Sequence, residues 1–387
     1  MKVLILSHID ADGICSARII YLFHKKLGDK ITVKFREWNK FGLESSDVKW
    51  IKKLKPDLFY LLDLGSKRDT VDVCLDISNF CKVCLIDHHP SDIKPSEIAS
   101  QNFSFIRSYE NCTTGLAYNY IRSQEFKPTM WMDIWTILGI YGDVCEEKTD
   151  AKKIIDELKP KYPKLFWSII YFKGGRETKY EIVRLYSRYF NTARRLGYHQ
   201  GAYLAFLAME EIESKGLSLL ENLLELSEFT DKKLEVDSPY TSLLKYWFNE
   251  WIEMRREVFR SENIRYVDVG RFNLAIINHP WDIGGWVASI KAQASNKPCF
   301  VINYGVPDDK YAKITGRNLS PDYDVGSVLD VVGSIYEGKI FGGGHKEACS
   351  GLVRRDLSIE EIIRCLLDGF RVLYGEETGG SMEGDQE

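Results

Sequence analysis

No stretch of these 387 residues approaches the about twenty uninterrupted apolar positions that a membrane-spanning helix needs. The opening run MKVLILSHIDADG is too short for a span and meets acids where a signal peptide would carry its cleavage site, so we expect a soluble, cytoplasmic chain with no membrane partner. An excess of either charge is missing too. The formal net charge is −4, so contact with nucleic acid has to rest on a local patch or on metal ions. The nine cysteines are odd in number and lack disulfide spacing, which points to a reducing compartment. Cys81 and Cys84 form a CxxC at the strand-like run KVCLID. Residues three apart on a strand face opposite sides and no second CxxC accompanies them, which argues against a zinc or redox site. No internal repeat is present.

The chain is longer than one hydrophobic core usually serves, so two domains and a connecting segment are expected. Through about residue 150, short aliphatic runs alternate with helical periods, the pattern of βαβ units and a largely parallel sheet. Three candidate strands, Val3 to Leu6, Leu58 to Leu62 and Val83 to Ile86, each end in a polar cluster. From 151 to 262 strand signals fade, and periodic segments such as TKYEIVRLYSRYFNTARRL and SLLKYWFNEWIEMRREVF predict a helical connector or separate insert. Ten Lys or Arg stand against two Glu between Lys159 and Arg195, interleaved with aromatics, and Arg194 and Arg195 are candidate nucleic-acid contacts. The competing reading makes these aromatics the buried stripe of amphipathic helices. Strands return in RYVDV, FNLAIIN, PCFVINYG and YAKITG, giving a smaller α/β domain over 263–374, and 375–387 reads as a disordered tail.

In an open α/β sheet the carboxyl ends of the strands border the ligand crevice. His8, Asp10 and Asp12 follow the first strand at alternate positions, where extended backbone would aim them one way. Asp63 follows the second and Asp87, His88 and His89 the third. A lone acid after a strand is ordinarily a helix cap or a solvated turn residue. Several clusters of hard oxygen and imidazole donors in one sheet instead match what a two-metal hydrolytic site requires. Thr113 and Thr114, ahead of a helix, have hydroxyls suited either to phosphate or to capping that helix. In the run Phe341 to His345, the glycines Gly342, Gly343 and Gly344 would let backbone amides approach phosphate oxygens, although Gly-rich turns are common.

HIDADG, LLDLGS, IDHHPS and GIYGDV resemble, in order and spacing, the four motifs of the DHH phosphoesterase superfamily. GRNLS and GGGHKEACSG resemble the associated C-terminal domain of RecJ-like nucleases, nanoRNA hydrolases and cyclic-dinucleotide phosphodiesterases. The resemblance covers the first 150 or so residues and roughly 265 to 352, departing at Asn318 and at Ala348-Cys349-Ser350-Gly351. It implies a parallel-sheet catalytic domain over 1–150, a smaller substrate-binding α/β domain and an active site in the cleft between them. It further implies that His8 and Asp10 hold one ion, that Asp12, His88 and Asp143 hold the other, and that Asp63 bridges. Asp87 would orient a histidine and His89 would face the scissile phosphate. Arg317, the GGGH run with His345, and the Thr113 and Thr114 position would bind substrate. The ions implied are divalent, manganese in preference to magnesium, and the chemistry is in-line attack of an activated water on phosphorus. A single-strand exonuclease of archaeal RecJ-like type, working in repair or replication, is the reading favoured by the basic insert. Two others stay open: turnover of very short oligonucleotides or cyclic dinucleotides, and an inactive replication scaffold. A helicase or replication factor, or a second copy of the chain, is a candidate partner for the middle segment.

Overall fold

The computed structural model describes residues 1–40, 42–98, 100–173, 176–220, 238–258 and 264–375, so the expected disordered tail lies, but for Gly375, outside the described residues. The chain divides into two compact units, Met1–Glu257 and the residues from Val258 onward. Among the described residues no helix is long and apolar enough to cross a membrane. All nine cysteines are buried and unpaired.

The first unit is built on five parallel strands, β1 (Lys2–Ser7), β2 (Lys30–Phe35), β3 (Leu58–Leu62), β4 (Lys82–Asp87) and β5 (Phe103–Arg107), in the order β2-β1-β3-β4-β5. Both faces of this sheet are covered, which is why β1 reads as an unbroken aliphatic run instead of an alternation. Val3 and Ile5 pack with helices α1 (Ala11–Lys26), α4 (Thr113–Ser123) and α5 (Met130–Gly142). Leu4 and Leu6, on the opposite face, pack with α2 (Ser45–Leu54) and α3 (Arg68–Ser78). The edge strands β2 and β5 escape the sequence signal because their faces are unevenly buried and carry Lys, Ser and Arg.

Beyond α6 (Thr149–Leu158) the expectation of helix alone is corrected by an antiparallel hairpin, β6 (Ser168–Lys173) with β7 (Arg176–Glu181). Ser168-Ile169-Ile170-Tyr171-Phe172 is rich in β-branched and aromatic residues, and two glycines follow after Lys173 in the sequence, a hairpin signature that helical periodicity masked. The helix read from Thr178 therefore starts only at Ile182. α7 (Ile182–Lys215) is broken at Tyr198, whose φ of 50° and ψ of −128° are not helical. With α8 (Pro239–Val258), α7 joins the first sheet's core: Tyr186, Tyr189 and Phe190 are buried in one cluster with Trp135 and Ile137. These helices thus belong to the same compact unit as the sheet, and Tyr186, Tyr189 and Phe190 are core, whereas Trp167 is exposed. The stripe on α8 buries Leu244, Trp251 and Val258, whereas Leu243, one residue round the helix, is exposed.

The second unit carries six strands in the order β12-β13-β11-β10-β9-β8. They are β8 (Ile264–Asp268), β9 (Asn273–Ile277), β10 (Cys299–Asn303), β11 (Tyr311–Arg317), β12 (Ile340–His345) and β13 (Ala348–Arg354). β9 and β10 run parallel through helix α9 (Gly284–Ser295), and the other pairings are antiparallel. Helices α10 (Val325–Ile335) and α11 (Ile359–Tyr374) complete its core.

Candidate metal centre

In the order β2-β1-β3 the chain reverses direction across the sheet between β1 and β3, and the strand ends beside such a reversal border the ligand crevice of open α/β sheets. His8, Asp63 and His88 directly follow β1, β3 and β4, whose last residue is Asp87. The ladder continues just past the strands: the His8 amide donates to the Leu62 carbonyl and the Asp63 amide to that of Ile86, each at 3.1 Å. Parallel pairing thereby fixes three polar clusters at one edge.

The local geometry at β1 differs from the expected extended run. Helix α1 begins at Ala11, with Asp10 as its cap accepting from the Gly13 amide at 3.1 Å, so Asp12 already lies in the first helical turn. A side chain at Gly13 would put its Cβ 2.4 Å from the His8 carbonyl oxygen, so this tight entry requires glycine.

Among the described residues of the first unit, three sets of donor atoms gather, each within 4.8 Å: His8, Asp10 and Asp63; Asp12, His88 and Asp143; Asp63, Asp87 and His89. His8 Nδ1 stands 3.0 Å from Asp10 and 3.5 Å from Asp63. His88 Nε2 stands 3.3 Å from Asp63 and 3.7 Å from Asp12, and its Nδ1 is 3.6 Å from Asp143. Asp63 thus lies between the first two sets. Asp12, Asp63, Asp87 and His88 are all at most 2% exposed.

Asp10, Asp12, Asp63 and Asp143, the first and last of them partly exposed, lie so close together that they strain one another electrostatically. Burial, followed by the charges of Asp63 and Asp143, pushes Asp12 well above the usual carboxylate range. Burial, with the charges of Asp63 and Asp10 outweighing the opposing His88 and Lys148, raises Asp143 to about 6. Burial disfavours the His8 imidazolium, but Asp10 and Asp63 overcome it and raise the ring to about 10. Asp10 is held well below its ordinary value, against its burial, by His8 and by the charge of Arg194. Hard oxygens and imidazoles, crowded and short of permanent cations, are the donor chemistry of a divalent-ion site of the manganese or magnesium type.

The backbone is strained at the same place. Asp63 has a φ of 60°, and Val144, next to Asp143, has a φ of 56°, which a β-branched residue rarely adopts. Such outliers persist only where the surroundings over-determine them, and they cluster at functional sites.

Thr113 and Thr114 require a correction. Both are fully buried, and neither hydroxyl caps α4 or is open to a phosphate. Thr113 Oγ1 donates to Asp63 at 3.0 Å and Thr114 Oγ1 to the Asp12 carbonyl at 2.8 Å, while their amides donate to the Asp12 carboxylate at 2.9 and 2.7 Å. The N-terminus of α4, where amides lack intrahelical acceptors, grips Asp12 as it would an anion. Nothing in the sequence separates these roles from a cap.

Asp87 accepts from His89 Nδ1 at 2.9 Å and from the backbone amides of Gly65 and His89 at 3.3 Å. His89 and the other polar neighbours hold the Asp87 carboxyl, in spite of burial, below its ordinary value. Of the two basic candidates on α7, Arg195 lies over the ring of Trp251 at 4.6 Å, and Arg194 is close enough to Asp10 to favour its charge.

In the second unit the expected Gly-rich turn is strand β12, paired residue for residue with β13. Its glycines have packing reasons. A Cβ at Gly342 would lie 2.5 Å from the Ser350 carbonyl oxygen, one at Gly343 2.3 Å from the Asp330 carboxylate, and one at Gly344 2.3 Å from the Ala348 carbonyl oxygen. His345 ends β12 opposite Ala348, which pairs on its other side with Arg317 at the end of β11, so the Arg317 and GGGH segments do share one sheet edge.

The model of the DHH family, N-terminal domain, matches residues 2–140. Among solved structures, the exonuclease RecJ bound to manganese is 15% identical, with 96% of this chain and 89% of that one covered at a TM-score of 0.57. RecJ from Thermus thermophilus in complex with manganese is 17% identical over 96% of this chain and 52% of its own, also at 0.57, so this chain spans about half of that protein. The DHH domain of a member of a family of ribosomal proteins is 12% identical, covering 96% and 87%, at 0.63. At such identities the likeness is one of fold. No curated protein matches the sequence. Residues 2–140 thus match the N-terminal domain of the DHH family, and the fold is similar to that of RecJ.

Proposed function

We propose that this protein hydrolyses phosphodiester bonds in single-stranded DNA or RNA, releasing nucleotides from an end, and that it acts in DNA repair or replication. The observation that carries the reading is the convergence of His8, Asp10, Asp12, Asp63, His88 and Asp143 into two abutting donor sets that share Asp63's position. Six such donors fit two divalent ions, preferably manganese, which when bound supply Lewis acidity and lower the pKa of a nucleophilic water. His8, Asp10 and Asp63 would hold one, and Asp12, His88 and Asp143 the other, with Asp63 reaching both.

The chain's own groups do the rest. Asp87 fixes the His89 ring through Nδ1, and in the imidazolium form of that ring Nε2–H would donate to a phosphoryl oxygen or to the departing alkoxide. Thr113 and the α4 amides keep Asp63 and Asp12 from turning away. Arg317 and the GGGH strand with His345 would bind substrate phosphates, and Arg194 is a further candidate cation for the strand. All eight polar residues of the DHH motifs are in place, which speaks against an inactive scaffold.

A second reading, turnover of very short oligonucleotides or cyclic dinucleotides, is favoured by one observation: Tyr186, Tyr189 and Phe190 are buried and offer no stacking platform for a long strand. Digestion of end-labelled single strands from dinucleotide to about thirty nucleotides with manganese, using Asp87→Ala as control, decides between them. Stepwise shortening of long strands supports the exonuclease, and activity confined to the shortest substrates replaces it with the second reading. No manganese-dependent cleavage at any length refutes both.

A further inference from the structure

Helix α7 lies outside the family-matched residues, yet one of its side chains reaches two of the ligand-bearing segments. Asn191 Oδ1 accepts from the Ala11 amide at 3.0 Å, and Asn191 Nδ2 donates to the Gly142 carbonyl at 3.2 Å. Ala11 sits between Asp10 and Asp12, and Gly142 directly precedes Asp143. The Ala11 amide belongs to the first turn of α1 and the Gly142 carbonyl to the last turn of α5, so neither has an intrahelical partner. One side-chain amide, with a donor and an acceptor in the same plane, satisfies both. Between these two segments there is no slack: a Cβ at Gly142 would stand 2.5 Å from Ala11 Cβ.

We propose that Asn191 is a positioning residue for the metal centre, fixing the start of α1, with Asp10 and Asp12, against the end of α5, with Asp143. The proposal rests on the two-ion reading of that centre. Asp12 and Asp143 belong to one donor set but come from different helices, and no backbone pairing joins their segments. The Asn191 amide ties the two main chains together beside the carboxylates. Aspartate has no donor for Gly142, serine is too short to reach both groups, and alanine offers neither bond. Loss of a group that orients ligands without touching the ion weakens metal affinity about 10- to 100-fold.

The test is a manganese titration of chelator-treated protein, reading free manganese by electron paramagnetic resonance at a temperature where every variant is folded. Asn191→Ala is compared with the milder Asn191→Ser and with Ser187→Ala. Ser187 Oγ donates to the Leu138 carbonyl at 2.8 Å, so it ties α7 to α5 one turn earlier without a hydrogen bond to either segment that Asn191 holds. We expect both Asn191 variants to bind manganese about 10- to 100-fold more weakly, and Ser187→Ala to lose thermal stability while keeping the wild-type affinity. If Asn191→Ala does not fold, Asn191→Ser carries the comparison. Wild-type affinity in the Asn191 variants, or an equal loss in Ser187→Ala, overturns the proposal. A wild-type protein that binds no manganese refutes the metal assignment itself, a different result from the other two.

Discussion

Asp143→Asn should make the metal-free protein more stable while weakening its grip on metal. In the folded chain burial and the nearby Asp63 and Asp10 carboxylates raise Asp143 from 3.8 to about 6. Each tenfold step in acidity is worth 1.36 kcal/mol, so ionised Asp143 costs the fold about 3 kcal/mol. The folded state holds this proton more tightly than the unfolded chain does. The penalty is therefore absent below pH 3.8, grows as pH rises, and is fully present above about 6. Asparagine keeps the shape and removes the charge. Urea unfolding of chelated wild type and variant should coincide near pH 4 and differ by about 3 kcal/mol in the variant's favour at pH 8. Manganese at about 1,000 times its dissociation constant should reverse the order, because it adds roughly 4.1 kcal/mol to the form that binds it. A variant less stable than wild type at pH 8 without metal, or equally stabilised by manganese, would refute the reasoning.

Three further outcomes follow from the same geometry. Asp87→Ala leaves the donors of Gly65 and His89 without their buried acceptor, which should cost about 1 to 3 kcal/mol and lower hydrolysis about 10- to 100-fold, measured as initial rates at saturating manganese. Arg18→Met strands Glu213, whose carboxylate also accepts from Trp135 Nε1 at 2.7 Å; a loss of about 3 to 5 kcal/mol in urea unfolding with unchanged manganese affinity is expected. In the metal-free site His8 stays protonated to about 10, and an ion must displace that proton. Manganese affinity should therefore rise at least about tenfold from pH 7 to pH 8, and a flat profile by calorimetry would remove His8 from the ligand set.

The legible part of this protein is the part with a local rule behind it. A buried parallel strand must be aliphatic throughout and must end where the crevice begins, so β1, β3 and β4 and the polar residues behind them can be read from spacing alone. Features set by distant packing could not be read that way. Thr113 and Thr114 look like any helix start; only the fold brings Asp12 to their amides. The glycines of β12 look like a phosphate loop because the sequence does not reveal that β13 and Asp330 crowd each of them. Ile169 to Phe172, although β-prone, sit beside long helical periods that hide them. Asn191 has the weakest signature of all, a single amide separated by 180 residues from the segment it holds.

This division bears on the metal centre itself. The family motifs supply candidate ligands that repel one another, as the raised Asp12 and Asp143 show, and strand ends alone do not hold such a set together. What opposes the repulsion is drawn from elsewhere in the same unit: the amides of α4 on Asp12, the Thr113 hydroxyl on Asp63, and the reach of α7 toward Ala11 and Gly142. The positive φ of Asp63 and of Val144 marks where that opposition is transmitted into the backbone. Helix α7 is therefore part of the architecture of the candidate centre, because the core that buries Tyr189 and Phe190 is the one that seats α7 against the ends of α1 and α5.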